Sequence, residues 1–483
     1  MALANKLLSQ AFEAYQAGRI DEAEAICRKL VPLAPREGRV SFLLGMSLKR
    51  AGRVAEAAEW LKRAATLQPH SAEVLNGLGT AYSSLQDYPH AADCFARAIE
   101  ANPRYADAHY NMGNACQRMR HYDKALGFYQ TALQLNPQDY EAWTNLGNFH
   151  KQLNQIEPAL AACERALQCK SDFALAHWNR ALVLLLAGRL QEGFQEYEWR
   201  WRLHGPIFAP RSFSQPLWNG QLIRDKTLLV HAEQGLGDAI QFVRYLPRIR
   251  PRAGRIILET PAPLKSLFEH TTYVDQFISQ GEAPPPFDYY IPLMSLPRLC
   301  QTTLETIPNS VPYLETPAFP DFPAVPTGHL KVGLTWAGNM SSTDLADRSI
   351  RLEELAPLFE IPGVAFFGLQ VPIPPHDEVV AGTLRHLVNL APFLSDFRRT
   401  AAAIGQMDLV ISVDTAVAHL AGALGKPVWT FLMHSSDWRW LLARPDSPWY
   451  PTMRLFRQTE RGQWAQPIEQ VAQELRHWRP QLP

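Results

Sequence analysis

Three places in the chain combine residue types that can hold an anion or move a proton. The first lies in Asp408 to Leu432, DLVISVDTAVAHLAGALGKPVWTFL. Asp414 and Thr415 are helix N-cap types, set between the apolar, β-rich run Leu409 to Val413 and a helix-forming run that opens at Ala416. A helix starting at the carboxyl end of a buried parallel strand offers unpaired N–H groups and its positive dipole end. In an open α/β sheet that is the usual seat of a nucleotide phosphate. His419 falls one turn beyond Thr415 on the same helix face, within reach of the same anion. The second place is the turn Gly235-Leu236-Gly237-Asp238, after the strand-like Thr227 to His231. Its glycines admit a ligand to the backbone. Its acid disfavours phosphate and suits either a general base beside an acceptor hydroxyl or a helix N-cap. The third is the strand Lys331 to Trp336, ending in Ala337-Gly338-Asn339, where backbone N–H groups can meet a diphosphate. Arg348 comes soon after, a guanidinium able to bond two phosphate oxygens or to make a surface ion pair. Gln370 ends GVAFFGLQ, where its amide reads a base or ribose, or closes a turn.

The elements around the first place run strand, tight turn, helix, tight turn, strand. Gly425 suits the helix end, Pro427 prevents its continuation, and Val428 to Leu432 begins the next strand. Any parallel α/β sheet holds such a unit, with Asp414 a plain cap. The wording goes further. An Asp-Thr turn, a helix carrying His-Leu-Ala, then Gly-Lys-Pro and a strand resembles the donor-binding segment of heptosyltransferase-like glycosyltransferases with the GT-B fold.

That resemblance implies two Rossmann-like lobes facing across a cleft, and a nucleotide-sugar as donor. The donor would be held by Gly338, Asn339, Arg348 and Gln370 on one side and Asp414, Thr415, Ala416 and His419 on the other, with Gly235 and Gly237 nearby. It also implies Asp238 as the active-site base, inversion at the sugar carbon, and a final helix (Ile468 to Trp478) crossing back to the first lobe. Asp396 and Thr400 resemble the same family, or are caps. No aspartate pair flanks a single residue as in a divalent-cation motif, so transfer is expected without metal or cofactor. Helix N-termini and Arg348 would then carry the charge of the leaving diphosphate.

Upstream, the chain repeats every 34 residues, from Ala4, Gly38, Ala72, Ala106, Tyr140 and Ala174, without insertion. The eighth position reads Ala11, Gly45, Gly79, Gly113, Gly147 and Ala181; the twentieth reads Ala23, Ala57, Ala91, Ala125, Ala159 and Gly193. Small residues there let two antiparallel helices approach closely. Pro35, Pro69, Pro103 and Pro137 would end each second helix. This resembles a tetratricopeptide array, a solenoid whose concave face is lined by first helices. The last unit carries Arg200 where earlier units carry Ala64, Ala98, Ala132 and Ala166, and it loses its signature after Tyr197. It is expected to dock onto the α/β region downstream. Asn111, Asn145 and Asn179 share one repeat position and Asn114 and Asn148 another. They would form a ladder gripping an extended peptide, or are solvated polar residues. Such a ladder, joined to a GT-B unit, is similar to that of the O-linked N-acetylglucosamine transferases. That likeness implies a protein or peptide acceptor on the concave face.

Composition sets the remaining limits. Lys plus Arg equals Asp plus Glu at 47 each, so bulk charge points to neither nucleic acid nor an anionic membrane. No run approaches the roughly 20 apolar residues of a membrane span. The amphipathic start MALANKLLSQAFEAYQAGR lacks the form of a secretory signal, and a cytoplasmic protein is expected. Six cysteines without CxxC spacing read as core filler. The expected fold is an α-helical solenoid followed by an α/β unit of two Rossmann-like lobes. It divides into repeats at 1–204, an ordered connector at 205–225, an acceptor-side lobe at 226–325 and a donor-side lobe at 326–483. The favoured function is sugar transfer to a hydroxyl on a protein presented by the repeats. The other reading is a non-catalytic scaffold carrying a degenerate nucleotide-binding domain. Homo-oligomers are left open.

Overall fold

The structure, a computed structural model, describes residues 2–203, 205, 211, 213–319, 322–323, 328–338, 347–384 and 386–480. The chain divides into two compact units, Met1–His150 with Glu157–Ala176, and Lys151–Ile156 with His177–Pro483. Among the described residues no helix is long and apolar enough to cross a membrane.

The first unit is a run of helix pairs: Ala2–Gln16 with Ile20–Leu33, Gly38–Arg50 with Val54–Leu67, Ala72–Ser84 with Tyr88–Ala101, and Ala106–Arg118 with Tyr122–Leu135. Each second helix stops two residues before its proline, the position at which a proline forces the preceding residue out of the helical region. The small eighth residue is needed for contact. A Cβ on Gly79 would lie 2.5 Å from the Phe95 ring, and one on Gly147 would lie 2.8 Å from Cys163 Sγ. The twentieth positions Ala57, Ala91, Ala125 and Ala159 are fully buried. All six cysteines are free thiols.

The asparagines are tied to their neighbours. Asn111 Nδ2 donates to Asn76 Oδ1 at 2.9 Å, Asn145 Nδ2 donates to the Tyr110 hydroxyl, and the Tyr129 hydroxyl donates to Asn114 Oδ1 at 2.8 Å. Asn111 and Asn145 thus brace successive first helices. One of the two amide N–H groups of each is thus taken within the array, so these two positions are not fully open donors. Asn148 stands half-buried, and Asn179 is buried in the second unit.

From His177 the second unit takes most of the helix Ala174–Leu186, its partner Leu190–Tyr197 and a 3-10 turn, Glu198–Arg202. Next comes a four-stranded parallel sheet made of β1 (Ile223–His231), β2 (Ala253–Thr260), β3 (Gln276–Ser279) and β4 (Tyr289–Pro292), in the order β3-β2-β1-β4. The second sheet holds β5 (Leu330–Thr335), β6 (Val364–Gly368), β7 (Leu387–Asn389), β8 (Leu409–Val413), β9 (Val428–Leu432) and β10 (Met453–Arg457). Its order, β10-β9-β8-β5-β6-β7 with every pair parallel, is the doubly wound dinucleotide-fold order. Strand order reverses between β5 and β8, so a crevice opens at their carboxyl ends. Strands β8 and β9 are buried throughout, as expected of uninterrupted apolar runs.

One apolar core runs from Leu186, Phe194 and Tyr197 of the last repeat through Val230 and Phe242 to Leu420, Trp438 and Trp449. The tryptophans after β9 are core, as is Tyr450. A separate core covers the other face of the six-stranded sheet, where the final helix, Ala465–His477, buries Ile468, Val471 and Leu475 against Val332, Leu409 and Phe431. The final helix packs on the donor-side sheet rather than crossing back, because its apolar stripe is matched to that sheet's open face.

Arg200 explains where the repeats stop. It is fully buried. Nη2 donates to Glu233 Oε1 at 2.8 Å and Ser295 Oγ at 2.9 Å; Nη1 donates to Glu198 Oε1 at 2.8 Å. Burial pushes the Glu233 carboxyl up and Arg200 pulls it back. Removing one partner of such a pair should cost about 3–5 kcal/mol, because an uncompensated buried charge remains. Arg200→Met should therefore lower the urea midpoint strongly, and adding Glu233→Gln should recover most of the loss. No recovery in the double variant would assign the effect to packing.

Candidate active site

The crevice is built from the ends of β5 and β8. Beyond β5, the N–H groups of Trp336 and Ala337 both donate to Gln370 Oε1, at 3.2 and 3.0 Å, and Gln370 Nε2 donates to Pro372 O at 3.0 Å. Gln370 is 5% exposed. Its amide closes the turn, so the base-reading role is corrected: both ends of the group are committed to backbone. Gly338 comes next, and a Cβ there would sit 3.0 Å from Arg348 Cδ. The glycine therefore seats the Arg348 stem. Asn339 lies outside the described residues.

Arg348 reaches across the crevice, and Nη1 donates to the carbonyl of Asp414 at 3.1 Å. Its Nε is buried and has no partner among the described residues. Thr415 is the N-cap of the helix Ala416–Ala423, yet its side chain caps nothing and instead meets Ser412 Oγ at 3.0 Å. The expected capping by Asp414 and Thr415 is absent, which leaves first-turn N–H groups for an external acceptor. Burial pushes the Asp414 carboxyl up, with Arg348 pulling it down.

His419, expected within reach of the same anion, is packed into the interior. It is 5% exposed, Nδ1 lies 2.9 Å from the Tyr450 hydroxyl, and the ring stacks on Trp440. Burial and the neighbouring Arg439 and Arg244 push its pKa down to about 3, so the imidazole is neutral. Gly237 packs against it. A Cβ on Gly237 would lie 2.8 Å from His419 Cδ2 and 3.6 Å from Ala416 Cα. That bare glycine lets the helix Leu236–Phe242 cross the helix Ala416–Ala423, bringing the first lobe onto the crevice.

Gly235 caps the helix Leu236–Phe242, and its N–H donates to Asp238 Oδ2 at 2.7 Å. Gly235 thus serves the helix start, its N–H taken by Asp238, and Gly237 serves the helix crossing. Asp238 Oδ1 accepts from Arg439 Nη2. Burial pushes the Asp238 carboxyl up while Arg439 opposes it. Sequence reasoning passed over Arg439 and Asp437. The available signal was two charged residues inside the aromatic SSDWRW run, directly beyond β9 at the edge that carries Asp414. Among the described residues no three His, Cys, Asp or Glu side chains gather as a metal site.

Residues 375–469 match the glycosyltransferase family 9 (heptosyltransferase) profile, and residues 8–72, 80–119, 106–139 and 128–161 match tetratricopeptide-repeat profiles. The chain joins tetratricopeptide repeats to a heptosyltransferase-family domain. Among curated proteins it is similar to Protein FlbA of Caulobacter vibrioides, 30% identical over 345 residues, covering 63% of this chain and 55% of FlbA. The chain thus spans about half the length of that relative. Among solved structures it is similar to MamA at 25% identity and TM-score 0.31, covering 35% of this chain and 93% of MamA. It is also similar to a thermophilic TPR protein of Thermus thermophilus at 22% identity and TM-score 0.34, covering 38% and 99%. The match to family 9 includes Asp414, Thr415, His419 and Arg439, and leaves Gly338, Arg348 and Asp238 outside it.

Neutral buried histidines set a pH dependence for the second unit. His419 falls to about 3 and His231 to about 4, both chiefly through burial, from an ordinary 6.5. Below 6.5 the unfolded chain binds protons that the folded chain refuses, so their contribution is full above 6.5 and is lost progressively as pH falls toward 3. The raised carboxyls of Glu233 and Asp238 work the other way. His419→Gln should therefore lose less thermal stability than the parent chain between about pH 7 and 5. Parallel melting curves across that range would remove His419 from the account.

Proposed function

We propose that the second unit transfers a sugar from a nucleotide-sugar to an acceptor hydroxyl, with the leaving diphosphate held between Arg348 and the first turn of Ala416–Ala423. One observation carries this reading. At the point where the strand order reverses, a guanidinium whose buried Nε has no partner among the described residues faces a helix N-terminus that the side chain of its N-cap residue leaves uncapped. Two sources of positive potential converge there, at the usual ligand crevice of this sheet. The family 9 match supports the glycosyl-transfer chemistry.

In the proposed reaction Asp238 removes the acceptor proton as the oxygen attacks the sugar carbon in line, and the diphosphate departs toward Arg348 and the helix N–H groups. A single displacement inverts the anomeric carbon, and no metal is required by it. Product configuration and insensitivity to EDTA test those two points separately. The acceptor is a protein segment held by the repeats, a use that solenoid grooves support in general. Asn148 and Asn114 are the amides proposed to meet it. One observation favours the second reading, a nucleotide-binding scaffold without turnover: both Asp238 oxygens are already engaged.

Arg348→Ala should weaken nucleoside diphosphate binding by about 1.5–3 kcal/mol, the worth of a charged hydrogen bond. Unchanged calorimetric affinity in a folded variant would remove Arg348 from the site. Asp238→Asn should bind nucleotide no more weakly than the parent chain and lower turnover about 10²–10⁴-fold, the usual range for a general base. Normal turnover would place the base elsewhere, and no turnover in the parent chain with any nucleotide-sugar would favour the scaffold. Asn148→Ala should reduce transfer to a protein acceptor and spare hydrolysis of the nucleotide-sugar by water. Equal loss of both would make that asparagine structural.

A further inference from the structure

Arg439 belongs to the donor-side lobe, yet its guanidinium is held mostly by the acceptor-side helix. Nη2 donates to Asp238, Nε to Gln241 Oε1 at 2.8 Å, and only Nη1 turns back, to Asp437 Oδ1 at 2.8 Å. The Trp438 ring lies beneath it, 4.4 Å from centroid to Cζ. Arg439 is 7% exposed, so this is a desolvated cluster rather than a surface pair. Asp238 is consequently held at both oxygens: Oδ2 takes the Gly235 N–H and Oδ1 takes the arginine. A carboxylate in that state has one acceptor site on each oxygen already taken, and the adjacent cation favours its ionised, less basic form.

Cations are scarce at this place. Asp238, Asp414 and Asp437 each feel both Arg348 and Arg439. Among the described residues these three carboxylates share Arg348 and Arg439, and a diphosphate arriving beside Arg348 competes for both. A dianion outbids a single carboxylate for a fork-shaped donor. We propose that Arg439 is a positioning residue with two alternative partners, Asp238 in the empty site and the diphosphate of the nucleotide-sugar in the loaded one, so that donor binding unmasks the base. This rests on the Arg348 crevice being the diphosphate site. The acceptor would then find a competent base only after the donor is in place, which suppresses proton abstraction in its absence.

The test is a double-variant cycle on the full chain, titrated with UDP, GDP, CDP and ADP by calorimetry. Asp238→Asn keeps the shape of the side chain while releasing its claim on the arginine, so it should tighten the best-bound nucleotide roughly tenfold. Arg439→Gln should weaken it by a similar factor, and Arg439→Lys should recover part of the loss. In the Arg439→Gln background, Asp238→Asn should have no effect. A merely structural Asp238–Arg439 pair predicts weaker or unchanged binding for Asp238→Asn, and that result overturns the proposal while leaving the diphosphate site standing. Should Arg439→Gln fail to fold, judged by circular dichroism, the sign of the Asp238→Asn effect alone decides. Failure of the parent chain to bind any of the four nucleotides would overturn the donor-site reading and this one together.

Discussion

The second unit depends on a single guanidinium buried where the repeat calls for a small residue. Arg200 occupies a position that is alanine in four preceding units, and it has no access to solvent. A charge there is tolerable only because Glu233, Glu198 and Ser295 surround it, and Glu233 stands just beyond β1. The last repeat and the first sheet therefore share one polar centre inside one apolar core. Buried ion pairs add little net stability but penalise the wrong arrangement heavily, which suits a junction that must form in one way.

The crevice reuses that logic between the two sheets. Gly237 removes a side chain so that two short helices can cross, and the crossing sets Asp238 against Arg439. Arg244 reinforces it from beneath, donating to the Trp449 carbonyl and to the Tyr313 hydroxyl. Positive groups at the crevice are thus fixed by packing, while their carboxylate partners lie on both lobes.

Legibility in the sequence tracked the range of each interaction. The helix pairs were readable because a close approach between adjacent helices demands a small residue at a fixed local spacing, as Gly79 against Phe95 shows. Strands β8 and β9 were readable because complete burial writes an uninterrupted apolar run. Arg348 and Thr415 could be singled out by type and by their place after strands. For Gln370 the turn alternative is the one found, and the sequence alone could not choose it; His419 could not be read correctly, since its partner, the Tyr450 hydroxyl, comes from another element. The asparagine positions were visible, but not the Asn76 and Tyr110 side chains that occupy them. Arg439 escaped because an arginine among tryptophans gives no hint of the carboxylate it will meet.

The seam between the two units does not fall where the repeats end. The turn Lys151–Ile156 and everything from His177 belong to the second unit, and Asn154 of that turn donates to the His434 carbonyl at 2.8 Å. The fifth and sixth repeats are therefore partly foundation, and only the earlier ones are pure array. Under descent with duplication, that makes the number of upstream repeats an inherited variable that can drift at little cost, whereas the final pair is inherited with the α/β domain as one block. Relatives in this lineage should differ in how many repeats precede that block and agree in the block itself.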